Sequence, residues 1–434
     1  MRDVAVIRQQ MEAARAYTLR LCASVDEADF RTQAHPDFSP VGWHLGHIGV
    51  TESYWILQQC KGEPTLSPLY DSFFTPTDNP KPNRVNLPPR AEILGYLDLV
   101  RGRVFSFLSA LDLAADHPLL HRGKIFNMLL QHEEQHNETM LLILQLLAAT
   151  RMPPAPGPPT PTRGKDNSPR TRDDMVLVPR GPFLLGSDDA TVTLDNERPQ
   201  SLIDLPPFLI DRFPVTNGEF LRFVRAGGYH NPSWWTPEGW QWREQSRVEH
   251  PLYWRQTPGG EWTEIGLTPA RLLPLDHPVS NVSWYEADAY ARFAGKRLPT
   301  EAEWEKAAVW DPDRNRKLPY PWGEEQPDGH HCNFNATVGG TTAVGRYAEY
   351  QSPYGCADTL GNVWEWTSSW FRPYPGFAAY PYEGYSVPYF DQQHRVLRGG
   401  SWATRRHVLR PSFRNWYHPW VREVFAGFRC AKDV

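Results

Sequence analysis

HEEQHNET, residues 132–139, lies inside a longer run, Ile125 to Leu147, in which apolar residues return at helical spacing. On a helix, residues four apart share a face, so His132 and His136 turn the same way and their imidazoles can grip one metal ion. The same periodicity marks Ala5 to Leu21, Leu45 to Leu57 and Ile93 to Leu113. Together the segments predict an up-and-down helical bundle over residues 1–150, with the histidines projecting from its helices. The intervening stretch "SPLYDSFFTPTDNPKPNRVNLPPR", residues 67–90, is too rich in proline to be read as helix. It is also long for a bundle connection, which points to a functional loop.

Beyond the bundle the texture changes twice. "RMPPAPGPPTPTRGKDNSPRTRDD", residues 151–174, carries proline, glycine and charge without periodicity and reads as a linker. From "MVLVPRGPFLLGS" to the C-terminus, residues 175–434, short strands and turns predominate, with many tryptophans and one clear helix, "SWYEADAYARFAG". A length of 434 residues suffices for two or three domains with real cores. The net charge of -5 gives no electrostatic footprint for nucleic acid. No apolar run approaches the roughly 18 residues of a membrane span. The charged, helix-patterned start "MRDVAVIRQQMEAARAY" is unlike a secretory leader, and five scattered cysteines fit a reducing compartment, so a cytoplasmic location is expected. The 18 Trp, 18 Tyr and 20 Phe have two uses, large cores and aromatic walls for a pocket.

Two histidines do not define a site, but "SPVGWHLGHIGVTESYW" adds His44 and His47 on another expected bundle helix. They are three apart and can lie near one face, so spacing alone does not choose between them. Three histidines from two helices leave coordination positions open, whereas a structural zinc site is closed by a fourth ligand. Glu138 lies about 200° around the helix from His136 and is a poor direct ligand. One reading of the motif is a zinc hydrolase with Glu133 as general base. Others are a metal-activated thiol transferase and a non-catalytic, lectin-like binding module.

The C-terminal tracts "DRFPVTNGEFLRF" (211–223), "HPVSNVSWYEADAYARFAGKRLPTEAEWEKAA" (277–308), "SPYGCADTLGNVWEWTSS" (352–369) and "VLRGGSWATRRHVLRPSFRN" (396–415), with "GFRCA" at the end, resemble the formylglycine-generating-enzyme, or sulfatase-modifying-factor, fold. The resemblance implies a mixed module akin to the C-type lectins. The expected class is therefore α+β and multidomain, a DinB-like helical bundle followed by this mixed domain. Formylglycine-generating enzymes use a cysteine pair after the Gly-Gly-Ser element, but residues 401–429 here contain no cysteine. Their copper-thiolate chemistry has no basis in this chain, which leaves the domain as a substrate-binding shell.

A histidine-bearing bundle, a Pro-rich linker and this domain together resemble the ergothioneine-type sulfoxide synthases over nearly the whole chain. The family's "SPVxWxLxHIG" and "HExQHxET" appear here as "SPVGWHLGHIG" and "HEEQHNET". This carries the metal ligands onto His47, His132 and His136 and implies Fe(II); His44 sits where the family tolerates other residues. The implied substrates are hercynine, a thiol and O2. The reaction joins sulfur to the imidazole C2 and oxidises that sulfur to a sulfoxide. Gln135 matches the glutamine that bonds the substrate imidazole. Asn415 and Trp416 match the contacts to the substrate's amine and carboxylate. In "YPYEGYS", Tyr382, with Tyr380 second, matches the proton-donating tyrosine of the actinobacterial type. A cysteine-using subfamily has paired tyrosines where this chain has Phe73 and Phe74, so that donor is missing here.

The thiol is read from "NWYHPWVRE", where the γ-glutamylcysteine users have aspartate and arginine. Tyr417 and Val421 stand at those positions, and Arg84 aligns with the arginine expected to pair with the cysteine carboxylate. Free cysteine is the favoured donor. A selenosugar, as in the related selenoneine synthases, stays open, as does ovothiol-type attack on another ring carbon of histidine.

Overall fold

The computed structural model describes residues 3–151, 174–267 and 270–434. They fall into two compact units: one runs to Thr150 and includes Asp189–Val192, and the other holds the rest. Apart from Arg151 and Asp174, the expected linker of residues 151–174 lies outside the described residues.

Six α-helices build the first unit: α1 (Val4–Ala23), α2 (Glu27–Arg31), α3 (Val41–Glu52), α4 (Pro68–Phe74), α5 (Arg90–Leu108) and α6 (Lys124–Arg151). α3 runs on as a π-helical stretch, Ser53–Cys60. The four expected amphipathic segments correspond to α1, α3 with its extension, α5 and α6. The reading of residues 67–90 as wholly non-helical is corrected by α4 and by a 3-10 turn at Lys81–Val85. Pro68 and Ser67 explain the error: proline is compatible with a first helical turn, and the Ser67 side chain caps the Tyr70 N–H.

The core of this unit contains a layer of charge. Arg15 on α1 and Arg101 on α5 each bind both Glu52 on α3 and Glu133 on α6, at 2.7–2.9 Å. All four are buried, and each guanidinium meets two carboxylates. Such reciprocal pairing offsets the cost of removing charges from water and fixes the register of four helices. Asp189–Val192 belongs with this unit, the Thr191 and Val192 carbonyls accepting bonds from Asn127 and Gln131.

The second unit contains a four-stranded sheet in the order Asn415–Tyr417, Arg395–Arg398, Trp364–Trp370, Ala426–Gly427, and a three-stranded sheet in which Phe208–Asp211 lies between Met175–Val178 and Ala431–Asp433. Smaller ladders complete it. Where one helix was expected the described residues form four: α7 (Asn217–Arg225), α8 (Pro237–Ser246), α9 (Trp284–Phe293) and α10 (Glu301–Val309). Much of the aromatic load is core. Phe220, Phe223, Tyr229, Trp254 and Phe428 are fully or nearly fully buried, with Phe220 stacked on Tyr290 at 5.5 Å.

The quoted tracts meet through buried ion pairs. Arg414 grips Glu301 through two bonds of 2.9 Å, Arg429 grips Glu365 at 2.6 and 2.7 Å, and Arg398 pairs with Glu305. The indole of Trp304 donates to Glu365 at 2.7 Å. The tracts "RLPTEAEWE" and "GNVWEW" are thus scaffold. All five cysteines are free. No helix among the described residues is long and apolar enough to cross a membrane.

Candidate metal centre

The approach of the loop to α3 begins with glycine. Glycine inside a helix costs about 1 kcal/mol relative to alanine, and α3 contains Gly42, Gly46 and Gly49. Two of them admit aromatic rings against the bare backbone. A Cβ on Gly42 would lie 2.4 Å from the Phe30 ring, and one on Gly46 would lie 2.1 Å from the Phe74 ring. With Phe74 seated there, its carbonyl accepts the His47 Nδ1–H at 2.7 Å. That bond fixes the tautomer and leaves the lone pair of His47 on Nε2. Trp43 supports the other side of the ring, stacked at 4.8 Å and 10°.

From α6, His132 and His136 face this nitrogen. His132 Nε2 lies 3.1 Å from His47 Nε2 and 3.1 Å from His136 Nε2. One ligand atom from each of His47, His132 and His136 falls within 4.8 Å of the others, and no carboxylate belongs to the group. Burial disfavours protonation of every ring. It pushes His47 down to about 4, aided by Arg84 and resisted by the Phe74 bond, and pushes His132 and His136 well below the usual histidine range, with mutual repulsion adding to the shift. Three neutral imidazoles cannot satisfy this cluster among themselves, because His132 Nε2 carries either one proton or one lone pair and faces two nitrogens. A cation accepting all three lone pairs resolves the conflict, and imidazole donors suit iron, zinc, copper and nickel.

Glu133 points elsewhere. Its carboxylate binds Arg15, Arg101 and the Thr18 hydroxyl. Burial would raise its pKa, but the two guanidiniums more than offset this and hold it at about 2. A hydrolase of the H-E-x-x-H type needs this carboxylate free to take a proton from metal-bound water, so that reading loses its base.

Spacing did not separate His44 from His47; the structure gives them different neighbours. His44 is buried, and its Nδ1 lies 2.8 Å from His136 Nδ1, on the side of that ring away from the Nε2 cluster. Gln135 is half-buried and donates from Nε2 to the Gln131 carbonyl at 3.2 Å. Arg84 is buried, with Nε, Nη1 and Nη2 donating to the Asn79 carbonyl, the Ser39 hydroxyl and the Pro76 carbonyl. Its guanidinium also lies over Trp43 at 4.0 Å. A substrate carboxylate would have to compete with these contacts for the guanidinium.

The other expected residues belong to the second unit. Asn415, Trp416 and Tyr417 form an outer strand of the four-stranded sheet, pairing with Leu397, Val396 and Arg395. The Trp416 ring lies parallel to Phe371 at 4.3 Å, with Tyr385 edge-on at 5.7 Å and Tyr389 tilted at 5.4 Å. Tyr385 is thus the member of the "YPYEGYS" trio that packs on Trp416. Tyr382 is 41% exposed, and Tyr380 is half-buried with the Arg198 guanidinium 5.5 Å from its ring. Asp195 ties the segment down, accepting the Ser386 hydroxyl at 2.6 Å and the Tyr380 N–H at 3.4 Å. Val421 is buried and apolar.

Comparison with known proteins adds to this geometry. Residues 162–434 match the family described as sulfatase-modifying factor enzyme 1-like domain, and residues 10–140 match the DinB superfamily. The chain is 41% identical to the hercynine oxygenase of Mycolicibacterium smegmatis over 99% of each chain. It is 43% identical to the hercynine oxygenase of Mycobacterium tuberculosis over 97% of each. Its likeness to the formylglycine-generating enzyme of Thermomonospora curvata, at 34% identity, covers 60% of this chain and 93% of that one.

Proposed function

Because the chain belongs to the hercynine oxygenase family of oxidoreductases, we propose that it joins a small thiol, cysteine first, to the imidazole C2 of hercynine, with Fe(II) held by His47, His132 and His136. The imidazole C2–H and the thiol S–H are lost as the C–S bond forms. One oxygen atom of O2 ends on sulfur as the sulfoxide and the other leaves as water. Iron bound at the three histidines supplies redox chemistry with O2 and a positive charge to favour the thiolate.

The observation that carries this reading is the convergence of three uncharged imidazole nitrogens without a carboxylate. Phe74 orients His47, while Arg15 and Arg101 keep the Glu133 charge turned away from the ligands. Gln135, Asn415 and Trp416 are assigned to hercynine, and Tyr382, with Tyr380 second, to proton delivery, all through the family likeness. Cysteine is favoured over γ-glutamylcysteine because Tyr417 and Val421 offer no ion pair for a glutamyl group.

Anaerobic loading with Fe(II), followed by hercynine, O2 and either thiol, tests the reading by mass spectrometry of the products. The sulfoxide should form with iron and not with zinc, and faster with cysteine. A preference for γ-glutamylcysteine would overturn the donor assignment. Tight zinc without iron-dependent O2 uptake would overturn the reaction.

A further inference from the structure

His44 has no role in the family likeness, yet it makes a direct contact with a metal-binding histidine. Its Nδ1 meets His136 Nδ1 at 2.8 Å, its Nε2 is buried without a well-aligned hydrogen bond, and the Ser39 backbone lies against the ring as an acceptor. A neutral imidazole carries one N–H and one lone pair, so a bond between two Nδ1 atoms requires the proton to sit on one of them. If His44 donates, the proton of His136 is on Nε2, where it points at His132 and blocks a cation. If His136 donates, its Nε2 presents a lone pair to the cluster. Only the second arrangement is compatible with metal binding.

The two supported ligands are held in different ways. The Phe74 carbonyl can only accept, so it imposes one tautomer on His47. His44 can accept or donate at Nδ1, so that contact by itself imposes none. We propose that His44 is a positioning residue, which accepts the Nδ1–H of His136 and so turns the Nε2 lone pair of that ring toward the point shared with His47 and His132. His44 is not itself a ligand, because its contact is with the far nitrogen of His136 and it lies outside the converging set. Occupancy of the site selects the accepting form of His44 and places its remaining proton on the buried Nε2. The proposal rests on the metal-centre reading above.

The property that matters is therefore acceptance at one position, which makes the test a ranking of side chains. Co(II) and Fe(II) affinities would be measured anaerobically by visible absorption and competition for the wild-type chain, His44→Leu, His44→Asn, His44→Asp and His132→Ala, with melting of each metal-free protein in parallel. Loss of an orienting partner typically costs 10–100-fold in metal affinity, so H44L should weaken binding by about that factor while leaving the Co(II) spectrum of the bound form unchanged. H44N and H44D, which retain an acceptor, should bind better than H44L even where the buried carboxylate lowers the melting temperature. A merely structural role predicts the opposite order, with affinity following stability. If H44D does not fold, H44N against H44L decides.

Wild-type affinity in H44L, or affinity in H44N no better than in H44L, would overturn the proposal. Complete loss of binding in H44L, matching H132A, would make His44 a ligand and overturn it equally. Unaltered binding in H132A would overturn the metal-centre reading itself, which separates the two failures.

Discussion

At Glu133, a residue that sequence motif places in a catalytic role, the fold uses the same carboxylate to pair two buried arginines. Its partners Arg15 and Arg101 stand 118 and 32 residues away, so nothing local in HEEQHNET reveals them. The two readings predict different losses. Glu133→Gln would stop a hydrolase without unfolding it. Here it should leave Arg15 and Arg101 sharing Glu52 alone and cost roughly 3–5 kcal/mol, the range for breaking a buried pair. Urea denaturation measures this, and an unchanged midpoint would refute it. Arg84 gives a parallel case. Arg84→Leu removes two hydrogen bonds within the loop and one to Ser39, and a lower melting temperature should follow, with no rise in the KM for thiol where the protein is still folded. A rise confined to thiols bearing a carboxylate would restore the direct contact that the likeness implies. The histidines were more legible, because spacing alone brings His132 and His136 together. Spacing left His44 and His47 equal and the family likeness chose His47, but the physical reason for that choice, the Phe74 carbonyl, is a contact made only in the fold.

Helix α3 shows how an element carries the site. Gly42, Gly46 and Gly49 weaken the helix by propensity, yet Gly46 lets Phe74 lie against the backbone with its carbonyl on His47. Gly46→Ala pits two effects against each other. Helix propensity would gain about 1 kcal/mol, while a Cβ at 2.1 Å from a fully buried ring forces repacking that typically costs 1–3 kcal/mol. The overlap should win. G46A should melt lower and, because Phe74 must move, bind Co(II) more weakly than wild type. Higher stability with intact metal binding would refute the mechanism. The helices missed in the second unit had local signals. Thr216 with Glu219 and Thr300 with Glu303 form the same capping box as Ser283 with Glu286, the helix that was expected. These two helices are only nine residues long, and the surrounding turns and tryptophans hid the period. α4 was hidden by proline, counted as a breaker although it stood at a first turn.

Across the molecule, the tracts by which the second domain resembles its family join one another through buried charge. "GNVWEW" supplies Glu365, which receives two bonds from Arg429 of "GFRCA" and one from Trp304 of "RLPTEAEWE". Sequence gave the order of these tracts but not their pairing, since Arg429 and Glu365 are 64 residues apart. The physical content of the resemblance is thus a set of mutual contacts, and it can be tested as one. Either Arg429→Met or Glu365→Leu leaves a buried charge without its partner, which should cost roughly 3–5 kcal/mol. The double variant removes both charges and should cost clearly less than the sum of the single losses, since replacing a whole buried pair by apolar groups is often nearly neutral. Some loss should remain, because the Trp304 indole and the Ala357 carbonyl each lose a partner. The measurement is a double-mutant cycle by urea denaturation followed through tryptophan fluorescence. Strict additivity would mean that Arg429 and Glu365 act through their other neighbours, and that the link between the two tracts is not what holds this part of the fold.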